Sequence, residues 1–276
     1  MVATVCRAKP LEKGMDSGDT FWRDVALLDW QIELGADEAI SETPVNRYAL
    51  DPAPPKPAVE QPGKASPPVP PKAPEVDPVA EAQVAATAAG DLPALAAAMQ
   101  AFEHCEIKKG ARKFVFSDGT PGARVMIVGE APGRDEDRIG RPFVGQAGQL
   151  LDKMLEAIGM DRGADDPDKA VYIANVLPWR PPANRTPEAE EIAMMLPFLA
   201  RHIALAAPDV VILMGNTPCQ ALLGRAGITR LRGTWTEVLG RPTLPMFHPA
   251  YLLRQPLAKR DAWADLLALK AKLKDL

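Results

Sequence analysis

Four short stretches of this 276-residue chain concentrate the side chains able to do chemistry. The first is Gly129-Glu130-Ala131-Pro132-Gly133, followed by Asp135-Glu136-Asp137 and by Gly140-Arg141-Pro142-Phe143-Val144-Gly145. Its glycines and prolines fix tight turns, which let backbone amides and a carboxylate approach a small ligand. Glu130 and Glu136 are the candidate carboxylates for orienting water or stabilising positive charge. The second stretch holds Asn175, then Leu177-Pro178-Trp179-Arg180-Pro181-Pro182 and Asn184-Arg185. An amide side chain donates and accepts, so Asn175 can read one polar edge of a ligand. The third is Gly215-Asn216, and the fourth runs His248-Pro249-Ala250-Tyr251-Leu252-Leu253-Arg254. Of the three histidines, His104 and His202 fall in helical stretches and read as structural, which leaves His248. The glycine-rich turn is neither Gly-x-Gly-x-x-Gly nor Gly-Lys-Ser/Thr, so dinucleotide and P-loop chemistry are set aside.

Each stretch follows a short apolar run of the buried-strand type: Val125–Val128, Val171–Ala174, Val210–Leu213 and, less clearly, Leu244–Phe247. Helical patterns separate them over Gln146–Ile158, Glu188–Ala204 and Pro218–Leu223, with a last one over Leu257–Leu273. Thr186 is placed to cap the second of these, with Pro187 as its first helical residue. Strands alternating with helices predict an α/β fold, a three-layer α/β/α sandwich around a central four-stranded parallel sheet. Ligands of such sheets bind beyond the carboxyl ends of the strands, where these four stretches lie.

Ahead of this region, Ala80–His104 is Ala-rich and helical, broken near Gly90–Pro93. Asp51–Val79 is dense in Pro, Ala and Lys and reads as a semi-rigid extended linker. Thr20–Ile40 has helical spacing of Val25, Leu28 and Ile32. The expected organisation is an N-terminal helical segment over 1–50, a linker over 51–79 and a catalytic domain over 80–276. Packing against the main domain and binding a protein partner are both open to the N-terminal helix.

The net charge of −4 is unevenly spread: from Glu106 onward there are 24 Lys and Arg against 20 Asp and Glu, leaving 8 against 16 before it. A mildly basic domain behind an acidic leader fits a protein that meets phosphates. Cys6, Cys105 and Cys219 lack metal-ligand spacing and suggest a reducing compartment. No apolar run has the length of a signal-peptide core near the start, or of a membrane span anywhere. A cytoplasmic monomer with no membrane contact is expected.

The four stretches, in this order and at strand ends, resemble the uracil-DNA glycosylase superfamily, above all its bacterial and archaeal family four. The resemblance covers about Phe102 to Leu273. It implies a DNA-repair enzyme that hydrolyses the N-glycosidic bond of deoxyuridine in DNA, releasing uracil and leaving an abasic site. Phe143 would stack on the flipped uracil, and Asn175 would read N3–H and O4. His248 would donate to O2 as negative charge grows there. Glu130 would serve water or uracil. Glu136 would sit at the C5 edge, where bulk excludes a thymine methyl. Ala131 stands where the superfamily's best-known branch has an Asp. Tyr251, Leu252, Leu253 and Arg254 would wedge into the duplex and grip a phosphate, with a helix start that packs at least one of the two leucines into the core as the alternative, and Asn184 and Arg185 as further DNA contacts. Family four holds a four-iron cluster with four cysteines; the matching positions here are Phe102, Cys105, Trp179 and Met195, so neither that cluster nor any other cofactor or metal is expected. The competing reading is a catalytically inactive DNA-binding module of the same fold.

Overall fold

In the computed structural model the described residues are 24–28 and 77–276. The chain divides into two compact units, Met1–Val69 and Pro70–Leu276. Of the first, one helical stretch is described, α1 (24–28), with Leu27 and Leu28 exposed. The rest of the expected Thr20–Ile40 helix and nearly all of the expected linker lie outside the described residues.

The second unit opens with α2 (Pro78–Ala88), which takes up the last two residues expected in the linker. Pro78 sits in its first turn, where no amide partner is needed, and Asp77 caps it by accepting from Val79 N at 2.9 Å. The expected break falls before α3 (Leu92–Ala101), capped by Asp91. The carbonyl of Ala89, freed by that break, accepts two bonds from the Arg201 guanidinium, at 2.9 and 2.7 Å.

After α4 (Ile107–Gly110) come β1 (Ser117–Gly119), β2 (Val125–Gly129), α5 (Arg134–Ile139), α6 (Gln146–Glu156), β3 (Val171–Asn175), α7 (Ala189–Ala206), β4 (Val210–Met214), α8 (Asn216–Leu223), α9 (Ile228–Leu231), β5 (Thr236–Val238), β6 (Arg241–Met246), α10 (Pro249–Arg254) and α11 (Lys259–Asp275). The sheet order is β1-β3-β2-β4-β6-β5. Its four inner strands are parallel, as expected, but β1 and β5 add antiparallel edges, making a mixed sheet of six strands. The edges escaped the sequence pattern because Ser117-Asp118-Gly119 and Thr236-Glu237-Val238 are short and have no apolar run. An edge strand covered on one side needs none.

Alternation along the inner strands sorts two cores. Met126, Val128, Tyr172, Ala174, Val211 and Leu213 face α2, α3 and α7. Val125, Ile127, Val171, Ile173, Ile212 and Leu244 face α6 and α11. The result is the expected three-layer sandwich. The start of α7 differs from expectation: its cap is Glu188, not Thr186. The Glu191 carboxylate accepts from Glu188 N at 2.8 Å and takes the Arg185 fork, so it organises the first turn.

Candidate active site

The carboxyl ends of the four parallel strands open into one cleft of about 590 Å³. The expected ligand contacts Glu130, Ala131, Glu136, Phe143, Asn175 and His248 all line it. Strand register brings the first pair together: Gly129, the last residue of β2, pairs with Asn175, the last of β3. A Cβ at Gly129 would overlap Asn175 Oδ1 and come within 2.6 Å of the Phe143 ring. Glycine therefore lets the amide and the ring meet against bare backbone. Asn175 is 6% exposed, and its amide, which opens onto the cleft, forms no hydrogen bond within the described residues, leaving a donor and an acceptor for a ligand.

Phe143 has φ of +53°, a left-handed conformation that costs a non-glycine residue roughly 1–2 kcal/mol. Bracing on two sides holds it there. Glu136 accepts from Val144 N at 2.9 Å and Gly145 N at 2.8 Å, and its other oxygen accepts from Gly133 N at 3.1 Å. On the far side, Arg162 donates to the carbonyls of Pro142 and Phe143. The Phe143 ring is nearly buried and lies 5.3 Å from the His248 ring at an interplanar angle of 28°.

His248 caps α10. Its Nδ1 accepts from Ala250 N at 3.1 Å, so in the neutral ring the proton sits on Nε2, leaving that atom as a donor. Burial lowers its pKa to about 4, helped by the positive charge of Arg254 and opposed by Glu136. The ring is neutral at physiological pH. His202 is lowered to about 3 by burial, and its Nε2 lies 2.9 Å from the Tyr172 hydroxyl.

Both shifts disfavour the protonated folded state, so their stabilisation is complete above the unfolded value of about 6.5 and is lost as pH falls toward 4 and 3. Unfolding at pH about 5 is expected to take up close to one proton at each of these two histidines. Ring ¹⁵N resonances should keep His248 as the neutral Nε2–H tautomer down to that pH. A midpoint near 6.5 would show that the ring is not held neutral by its surroundings.

Glu130 is half-buried, and Oε2 accepts from the Thr217 hydroxyl at 2.6 Å. Thr217 is buried in the first turn of α8. It escaped the sequence reading, which stopped that loop at Gly215-Asn216; a hydroxyl three residues past a strand end was its only signal. Arg162, on the loop after α6, had no signal in the sequence.

The profile of the Uracil DNA glycosylase superfamily matches residues 116–267, over half the chain. The chain belongs to the uracil DNA glycosylase superfamily. It is similar to the type-4 uracil-DNA glycosylase of Thermotoga maritima, 40% identical over 153 residues, which cover 54% of this chain and 77% of that protein. The type-4 uracil-DNA glycosylase of Pyrobaculum aerophilum is 36% identical over 178 residues, 59% of this chain and 85% of that protein. That of Archaeoglobus fulgidus is 36% identical over 170 residues, 58% and 82%.

The expected DNA contacts of this superfamily member are only partly assembled. Asn184, Tyr251 and Arg254 reach the cleft wall, and no carboxylate pairs with Arg254 among the described residues. Arg185 departs from the expectation of a phosphate contact. Its guanidinium forks onto Glu191 at 2.9 and 2.5 Å and also donates to Thr186 O, bracing the loop against α7. Leu252 departs as well: it is 1% exposed in the core facing α6 and α11, whereas Leu253 is 43% exposed. Neighbours on a helix point apart, so only one of the two leucines can reach a duplex. Among the three consecutive acids, Asp137 is buried and accepts from Arg112 N and Lys113 N, and Asp135 faces solvent.

Proposed function

We propose that this chain excises uracil from DNA by hydrolysing the bond between uracil N1 and the sugar C1′. The observation that carries this reading is one cleft holding a neutral imidazole donor, an unpaired amide and an aromatic ring. Phe143 offers its face to the flipped base. Asn175 accepts from N3–H and donates to O4; cytosine presents the reverse order on that edge. As the C1′–N1 bond breaks, its electron pair moves into the base and onto O2, where His248 Nε2–H donates. Water attacks C1′, and its proton leaves on a base. Glu130 is the carboxylate for that step: Thr217 holds one oxygen and leaves the other, whereas both oxygens of Glu136 are taken by backbone amides. Ala131 supplies no second carboxylate. Glu136 bounds the cleft where a thymine methyl would fall. Leu253 is the wedge, and Arg254 is the phosphate contact.

The enzyme works without the iron–sulfur cluster of family four. Phe102, Cys105, Trp179 and Met195 are buried in one apolar cluster, with the Phe102 ring edge-on to Phe198 at 5.4 Å and Trp179 against Phe114 at 5.7 Å. Three of these four side chains carry no thiolate, and burial pushes the Cys105 thiol up, away from the thiolate form. Two buried free cysteines fit a reducing, cytoplasmic setting. No helix of the described residues is long and apolar enough to cross a membrane. The catalytic domain of a monomer runs from Pro78, where α2 begins, to Leu276.

A uracil-containing oligonucleotide treated with the chain and then with alkali tests the reading. Strand scission at the uracil position is expected with no added metal, from a colourless preparation. An intact oligonucleotide that nonetheless binds would favour the inactive module, and an absorption band near 400 nm with stoichiometric iron would overturn the cluster-free part.

A further inference from the structure

Arg162 lies outside every motif that the activity draws on, yet all five of its N–H donors are used. Nε and Nη2 donate to Asp152 Oδ1 at 2.9 and 2.6 Å. Nη1 donates to Asp118 Oδ2 at 2.9 Å and to Pro142 O at 3.0 Å, and Nη2 donates to Phe143 O at 2.9 Å. The guanidinium therefore joins the edge strand β1, helix α6 and the loop carrying Phe143. Its side chain is 12% exposed and that of Asp118 14%. Arg141, in the same loop, closes a fork onto Asp118 at 3.1 and 2.9 Å. Burial pushes the Asp118 carboxyl up, but the bonds from Arg141 and Arg162 outweigh it and hold the group below the usual range.

This geometry matters because Phe143 is left-handed, and its backbone sets where the ring points. At Gly148, in α6, a Cβ would collide with the Phe143 carbonyl, so the helix backbone abuts the residue. Arg162 pins the two successive carbonyls while Glu136 pins the two following amides. A relaxed φ at Phe143 would swing the ring away from Gly129 and His248. Surface ion pairs contribute little on their own; a five-donor fork that fixes two carbonyls constrains geometry.

We propose that Arg162, anchored by Asp118 and Asp152, is a positioning residue for excision that acts through Phe143, locking the ring in the plane on which the base stacks. The proposal goes beyond the activity proposed above and rests on it for its kinetic arm only. The test is a double-mutant cycle on the full chain, read by single-turnover uracil release with enzyme saturating. Arg162→Gln is expected to slow release tenfold or more, with DNA affinity changed less than threefold. In a Phe143→Ala background the same substitution is expected to slow it less than threefold further. Losses that multiply, or wild-type release by Arg162→Gln, would overturn the proposal. Should Arg162→Gln fail to fold, Asp152→Asn removes the partly exposed anchor and is expected to give a smaller loss, again absorbed in the Phe143→Ala background. A second readout does not depend on activity: the His248 ring protons lie beside the Phe143 ring, and their resonances are expected to shift in Arg162→Gln. Unchanged resonances would overturn the positioning role, whereas a chain that releases no uracil but shows the shift would sink only the proposed activity.

Discussion

His248→Ala is expected to slow single-turnover uracil release about 10²–10³-fold, the usual cost of removing one oxyanion donor, while DNA binding changes far less. In the proposed mechanism Nε2–H meets a weakly basic carbonyl in the bound base and a developing anion as the bond breaks, so its loss raises the barrier more than the ground state. Alanine also removes a helix cap, because Nδ1 accepts from Ala250 N. Loss of a cap costs about 1 kcal/mol and would loosen α10, where Leu253 and Arg254 sit. His248→Asn separates the effects: asparagine caps helices well but cannot carry a donor to the Nε2 position. If His248→Asn is as slow as His248→Ala and melts near wild type, the donor is responsible. Arg254→Ala gives the contrast, with weaker binding and a flatter salt dependence. Release at wild-type rate by bound His248→Ala would remove His248 from the mechanism and leave Glu130 to be tested.

Asn175→Asp is the second large effect. An ionised carboxylate can still accept from uracil N3–H, but it faces O4 with a charge and offers no donor. An unsatisfied charged contact in a desolvated slot costs at least about 3 kcal/mol, so uracil release is expected to fall about 10²-fold or more. Cytosine offers an amino group where uracil has O4, so the preference for uracil over cytosine is expected to shrink. A carboxylate at a residue only 6% exposed costs desolvation, so the thermal midpoint is expected to fall, and release is compared below the onset of melting. The measurement is release from matched uracil and cytosine oligonucleotides. Full uracil activity in Asn175→Asp would mean that another group reads that edge.

The inner sheet was legible because buried parallel strands must be apolar on both faces, and Val125–Val128, Val171–Ala174 and Val210–Leu213 are. The edge strands were illegible for the converse reason. Asn175 and His248 stood out as polar groups directly after apolar runs, a position that topology turns into a cleft. Arg185 misled, and which of Leu252 and Leu253 packs into the core stayed open, because a residue type does not reveal its partner. The same guanidinium suits a phosphate or Glu191, and the same leucine suits a duplex or a core. Thr217 and Arg162 reach the site from 87 and 19 residues away in sequence, distances over which spacing carries no signal.

Gly129 couples two functions through a side chain that is absent. The Asn175 amide and the Phe143 ring, proposed to read the base edge and support the base face, both crowd the space a Cβ there would fill. A change at either residue releases space to the other, so neither can be optimised alone. Retuning this pocket for a different base is therefore an epistatic problem: a first substitution at Asn175 alters the selective value of every later one at Phe143. Evolution or directed selection would have to cross that ground in pairs, because the steric limit at Gly129 binds both residues at once.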